Sequence, residues 1–264
     1  MAVDMEKVFA LERANYEASE PIMARMPGTE LELRDDVILT SSVDFPVPDA
    51  NHACLLRTLP EQADRLITEV VDYFRSKNLP PTILISPACT PADLPQRLLQ
   101  HGFVEQETEA WLVYKNLTHT TAPRLAANIP VKEITRADVP TFVDVFMKAF
   151  ELPPEFAKGM AQAIEPSIGL PGVYHYLAFL DDEPVGTYSL ICYKDIGILG
   201  SAGVLPHKRG KRIIFNLTVT AGQQAQQDGA NTLVLQTSAG FLLERLLRIY
   251  GFKKVFSRTS YTLL

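Results

Sequence analysis

Lys208, Arg209, Lys211 and Arg212 stand around Gly210, with Pro206 and His207 just ahead of them. Before them, an apolar, glycine-rich run over residues 196–205 reads as a strand. After them, Ile214, Leu217, Thr218, Ala221 and Ala225 recur at i, i+3, i+4, i+7 and i+11, which is the period of a helix. Strand, short basic turn and helix together make an anion site. The first turn of a helix carries unpaired N–H groups and the positive end of the dipole. The cations add Coulomb attraction, and His207 can add a donor. Outside that setting, such a run reads as a solvated basic patch.

The basic turn is a local feature in an acidic protein. The chain of 264 residues has 25 Lys and Arg against 31 Asp and Glu, a net charge of −6. That balance excludes a general nucleic-acid or anionic-membrane binder. Cys54, Cys89 and Cys192 lie far apart and form neither a zinc pattern nor a disulfide framework, so no metal is expected. No apolar run reaches the roughly 20 residues that span a bilayer. The first twelve residues are mixed in charge and do not read as a signal peptide. A reduced, cytoplasmic chain is the expectation. The length suits two domains of about 130 residues each.

The elements that must position the turn read as follows. Residues 5–26 form a helix, 30–34 and 37–40 a hairpin, and 52–57 a strand. Ala63, Leu66, Ile67, Val70, Val71 and Phe74 give the helix over 60–75 a continuous apolar stripe. A buried strand (82–86), a helix capped by Thr90 and running to His101, and a strand (103–114) follow. Residues 116–130 lack a period and contain two prolines, which marks a linker. Beyond it come a strand (131–134), an amphipathic helix capped by Thr135, a short helix (155–164) and a hairpin of 174–180 with 185–193. After the basic turn and its helix come a strand (232–236), a helix (241–249) and a closing strand (251–264). The two halves end alike: Thr82, Ile83, Leu84, Ile85 through Gly102-Phe103 parallels Thr232, Leu233, Val234, Leu235 through Gly251-Phe252.

The stretch Leu205-Pro206, Arg209-Gly210-Lys211 resembles the acetyl-CoA motif of the GNAT superfamily of N-acetyltransferases. That motif runs Arg-Gly-x-Gly-x-Gly/Ala from a strand into a helix. The Gly-Phe pairs opening the last strands, and Leu180, Asp181, Asp182, Glu183, Pro184 and Val185, extend the likeness. Arg212 and Ile214 occupy two positions where the family has glycine. The implied fold class is α+β: tandem GNAT-like domains, each a central mixed sheet flanked by helices, the first truncated. The domains would be 1–117 and 131–264, joined by a linker over 118–130.

The resemblance implies acetyl-CoA as co-substrate and transfer of an acetyl group to a primary amine of a small molecule or peptide. It implies that the amides of Val204 and Leu205 face the pantetheine arm, and those of Arg209, Gly210, Lys211, Arg212, Ile213 and Ile214 the pyrophosphate. An Arg at 212 can still present its N–H, because a helical φ needs no glycine. The implied splay lies between 200–205 and 232–236, and the acceptor cleft is lined partly by 146–168. Where the family often has a tyrosine to protonate the departing thiolate, this chain has Leu247. Tyr250 and Ser238 are the remaining candidates, Tyr250 reading as core and Ser238 as turn chemistry. Asp195 and Glu183 read as solvated turn acids, and His101 and His175 as surface or satisfied core residues. The alternative is a silent GNAT-like protein that binds a ligand or partner. The first domain would shape the acceptor side, cover sheet edges or support a homodimer, and the residues do not select among these.

Overall fold

A computed structural model describes residues 4–117 and 124–264. The expected linker therefore lies partly outside the described residues, at 118–123. The elements in chain order are α1 (Met5–Met23), β1 (Thr29–Leu33), β2 (Ile38–Ser42), β3 (His52–Cys54), α2 (Ala63–Ser76), β4 (Thr82–Ile85), α3 (Leu94–Gln100) and β5 (Val104–Lys115). Then follow β6 (Val131–Glu133), α4 (Val139–Ala149), α5 (Ala157–Ile164), β7 (Val173–Leu180), β8 (Glu183–Tyr193), β9 (Ile196–Val204), α6 (Ile213–Gln227), β10 (Thr232–Ser238), α7 (Leu242–Ile249) and β11 (Lys253–Thr262).

These elements form two compact units, Val113–Leu235 and the remainder, in which Gln236–Leu264 joins the N-terminal residues up to Leu112. The physical reason is a hydrogen-bond ladder. β11 runs antiparallel to β4, from Thr259 opposite Ile85 to Thr262 opposite Thr82. β11 thus lies between β4 and β5.

The N-terminal unit orders its strands β1-β2-β3-β4-β11-β5. The apolar stripe of α2 and the face of α3 bearing Leu94 and Leu98 bury against Leu39, Ala53, Ile83 and Tyr261. α3 begins at Leu94 rather than near Thr90. Thr90 is held in an extended bridge to Arg57, and its N–H donates to the Leu56 carbonyl at 2.8 Å. It lies four residues ahead of α3, whose N-cap position is Asp93. A polar network lies inside this unit. Arg258 on β11 donates to Glu12 (3.0 Å) and Tyr16 (2.7 Å) of α1 and to Glu109 of β5 (2.5 Å). Its guanidinium lies over the Trp111 ring at 5.1 Å, and Trp111 stacks on Phe256. Glu12 and Arg258 are buried, so each needs the other's charge.

The second unit orders its strands β10-β9-β8-β7-β6, with only β9 and β10 parallel among these neighbours. Asp181 and Asp182 both take left-handed φ (53° and 62°), which the two-residue β7–β8 turn requires. Thr135 and Asp138 form the expected capping box ahead of α4. Helices cover both faces. Phe142 of α4 meets His175 on one, and Thr218 of α6 meets Tyr188 on the other. The buried Asn216 of α6 binds the carbonyls of Ala126 (3.0 Å) and Ile129 (2.9 Å), which fixes the described end of the connector.

His175 is a satisfied core residue, bonded at 2.7 Å to Ser167 and at 2.7 Å to Ser189. Burial pushes its pKa down to about 4. His52 of the N-terminal unit, bonded to Tyr16, is pushed by burial to about 3.

Two predictions follow from these buried groups. Arg258→Ala leaves Glu12 buried without its counter-ion, and guanidinium unfolding should show a loss of about 3–5 kcal/mol. Each histidine has a folded pKa below its unfolded value near 6.5, so the unfolded chain binds protons that the folded chain refuses. Stability should hold above pH 6.5 and fall as pH drops through 6 and 5, by up to about 1.4 kcal/mol per unit for each histidine. Urea midpoints at pH 7.5, 5.5 and 4.5 check this, with a shallower decline expected for His175→Gln.

Candidate anion-binding turn

Everything at this site hangs on where β9 stops being paired. Its parallel register with β10 runs from Ile196 opposite Thr232 to Leu199 opposite Leu235. On its other side β9 stays paired with β8 as far as Val204 opposite Gly186. The expected divergence therefore begins at Gly200. Leu205 donates its N–H to the Val185 carbonyl at 3.0 Å, so Leu205 and Val185 are a hydrogen-bonded pair. Alternation makes Val204 and Gly186 a non-bonded pair, with the N–H of Val204 turned away from β8. Of the two amides expected to face the pantetheine arm, that of Leu205 is taken and that of Val204 is not.

A bulge precedes this point. Gly200 stands opposite Ser189 and Gly203 opposite Thr187, so β9 has two residues between them where β8 has one. Ser201 takes a left-handed φ of 50° there. Its carbonyl accepts a 2.9 Å bond from the Thr187 hydroxyl. The sequence trace of this bulge is the pair Gly200 and Gly203 inside a strand.

Pro206–Lys208 form a short 3-10 turn in which the N–H groups of Lys208 and Arg209 return to the carbonyls of Leu205 (2.9 Å) and Pro206 (3.3 Å). The amide of Arg209, expected at the pyrophosphate, is therefore occupied. Gly210 then takes φ 83° and Arg212 φ 62°, and α6 starts at Ile213. The amides of Gly210, Lys211, Arg212, Ile213 and Ile214 make no hydrogen bond to the described residues. They form a run of donors at a helix start, the arrangement that holds phosphate. Arg212 corrects the sequence expectation. Its backbone is left-handed rather than helical, so this position does favour glycine. A Cβ at Gly210 would meet nothing within 4 Å, which leaves the mouth of the turn open.

Gly186 sets how closely α6 approaches the sheet. A Cβ there would sit 2.8 Å from Ile213 Cγ2 and 3.1 Å from Leu217 Cδ1. The first turn of α6 is thereby seated directly on β8, with Ile213 buried and Ile214 half-buried.

The cations divide into two groups. Lys208 pairs with Glu183 at 2.5 Å, and this hydrogen bond holds the Glu183 carboxyl below the usual carboxylate range. Glu183 stays exposed beside the β7–β8 turn, as expected of a turn acid, and also serves as a partner of the basic turn. Arg209 donates to two backbone carbonyls, Ala149 (2.9 Å) and Val204 (3.3 Å). The Arg212 guanidinium lies over the Phe215 ring at 4.8 Å, beside the first helical turn. Lys211 is exposed.

Ser238 and Tyr250 belong to the other unit. Ser238 is exposed at the end of β10, and Tyr250 is half-buried just past α7 rather than a core residue, whereas Leu247 is buried. Among the described residues no cluster of His, Cys, Asp and Glu can hold a metal ion. No described helix is long and apolar enough to cross a membrane. A groove of about 880 Å³ runs between α4 and α5, lined by Pro140, Val143, Met147, Leu152 and Ala157 among others. It lies partly where the sequence placed the acceptor cleft.

No protein-family model matches the sequence, and no curated protein matches it. Solved structures do match in fold. A GCN5-related N-acetyltransferase from Kribbella flavida aligns at a TM-score of 0.70 and 16% identity, covering 95% of this chain and 94% of that one. A conserved protein of unknown function from Staphylococcus epidermidis aligns at 0.68 and 12%, covering 90% and 94%. A tandem GNAT protein from the clavulanic acid biosynthesis pathway aligns at 0.63 and 13%, covering 95% and 94%. At these identities the likeness shows the fold: α+β, of the GNAT type.

Arg212→Gly should leave thermal stability unchanged or higher, because the glycine relieves a left-handed backbone. Arg212→Val should lower stability by about 1–2 kcal/mol, since a β-branched residue resists that conformation. Thermal unfolding of the two variants checks the difference.

Proposed function

We propose that this protein, which has the GNAT fold, transfers an acetyl group from acetyl-CoA to a primary amine. The observation that carries the reading is the run of free amides over 210–214, next to the unpaired N–H of Val204 and the bulge at Ser201. The residues fit the coenzyme. The run of amides is suited to a pyrophosphate, Lys211 adds charge, and the Val204 N–H is one that the resemblance gives to a pantetheine arm. Acetyl-CoA supplies an activated acyl group. The amine nitrogen attacks the thioester carbonyl carbon, the C–S bond breaks, and one proton passes from the amine to the leaving sulfur. The chain's part is orientation: holding both reactants in line converts an encounter in solution into a reaction within one complex. We read the two βαβ endings as a tandem repeat whose first copy carries no coenzyme turn. The groove between α4 and α5 is our candidate for the acceptor side.

A second reading is favoured by one observation. Leu247 is buried and apolar where the resemblance implies a proton-donating tyrosine. A GNAT-like protein that binds coenzyme without turnover would account for that.

Calorimetric titration with acetyl-CoA and free coenzyme A, followed by an assay of thiol release with a panel of amines, tests both readings. Micromolar binding, about −8 kcal/mol, is expected, with thiol release that depends on an amine. Binding without release supports the second reading, and no binding at millimolar ligand contradicts both.

A further inference from the structure

Arg209 is one of the four cations expected to attract an anion at this turn, and the geometry assigns its side chain elsewhere. We infer that Arg209 is a positioning residue that ties the coenzyme turn to the C-terminal end of α4. The inference rests on the coenzyme reading above and specifies how that site is held in shape.

Three observations carry it. First, both bonds of the guanidinium go to main-chain carbonyls. One is that of Val204, the last residue of β9, and the other is that of Ala149, the last residue of α4. The final carbonyls of a helix have no partner within the helix, so Ala149 needs an outside donor. Second, the end of α4 sits on β9 without clearance. A Cβ on Gly203 would lie 2.9 Å from Ala149 Cβ and 2.9 Å from Phe150 Cε2. Third, the chain turns sharply just beyond, where Glu151 takes a left-handed φ of 54° and Leu152 donates back to the Met147 carbonyl at 2.9 Å. Arg209 thus joins three things: the end of the strand, the start of the turn and the end of the helix that borders the groove.

By taking the Val204 carbonyl, Arg209 completes the hydrogen bonding of the Val204–Leu205 peptide, whose N–H goes to the Val185 carbonyl. A planar fork with several donors holds two carbonyls in one fixed geometry; an ammonium on a flexible stem holds them less rigidly. The electrostatic contribution to coenzyme binding then falls to Lys211 and Arg212, whose charges are bound by no carboxylate among the described ion pairs.

Hydrogen exchange without ligand and titration with coenzyme A at low and high salt test this on Arg209→Ala, Arg209→Lys and Lys211→Ala. For both Arg209 variants, faster amide exchange is expected in 148–152 and in 204–214. A loss of coenzyme affinity of about tenfold is expected too, the scale of one charged hydrogen bond. Their salt dependence should match that of the wild type, whereas Lys211→Ala should be less salt-sensitive, because a phosphate-bound charge is what salt screens. Unchanged exchange in 148–152 overturns the inference. So does restoration by Arg209→Lys, or a fall in salt dependence for Arg209→Ala equal to that of Lys211→Ala. If the wild-type protein binds no coenzyme, the coenzyme reading fails while the exchange measurement still decides the role of Arg209.

Discussion

A strand that loses a neighbour must leave backbone groups without ladder partners, and the site is built around that constraint. β9 keeps β8 along its whole length and loses β10 after Leu199. The fold then handles each exposed group in turn. Val185 takes the N–H of Leu205, Arg209 takes the carbonyl of Val204, and the 3-10 turn absorbs the amides of Lys208 and Arg209. What is left is the N–H of Val204, that of His207 at the start of the 3-10 turn, and the donors over 210–214. A buried amide without a partner is costly, and these lie at an open mouth, where an anion or water satisfies them.

The same reasoning accounts for the charges. An acidic protein that binds an anionic ligand needs cations near the site without flooding it with counter-charge. Lys208 is neutralised by Glu183, and Arg209 serves main-chain carbonyls. Lys211 and Arg212 remain, the latter with its charge resting on Phe215. Of the four cations, one is neutralised by a carboxylate, one is held on main-chain carbonyls, and two are left to reach a ligand.

Much of the fold was legible in the sequence because its signals are local. The stripe of α2, the capping box at Thr135, the Asp181-Asp182 turn and the strand–turn–helix order each depend on residues a few positions apart. What the sequence could not convey is long-range or conformational. Arg258 finds Glu12 across 246 positions, and Thr262 of β11 finds Thr82 of β4 across 180. The Ser201 bulge comes from a register mismatch between strands, at which Gly200 and Gly203 only hint. Arg212 reads as helical from its neighbours, while the residue that opens the helix is not. The occupied amides of Leu205 and Arg209 were invisible for the same reason, since their partners are carbonyls rather than side chains.

The central claim is that backbone amides, more than side-chain cations, hold the coenzyme. Amide NMR on nitrogen-15-labelled protein, titrated with acetyl-CoA, addresses it residue by residue. The account predicts that the amides of Val204, Gly210, Lys211, Arg212, Ile213 and Ile214 shift most, in the downfield direction of new hydrogen bonds. Saturable binding that leaves these six amides in place would contradict it.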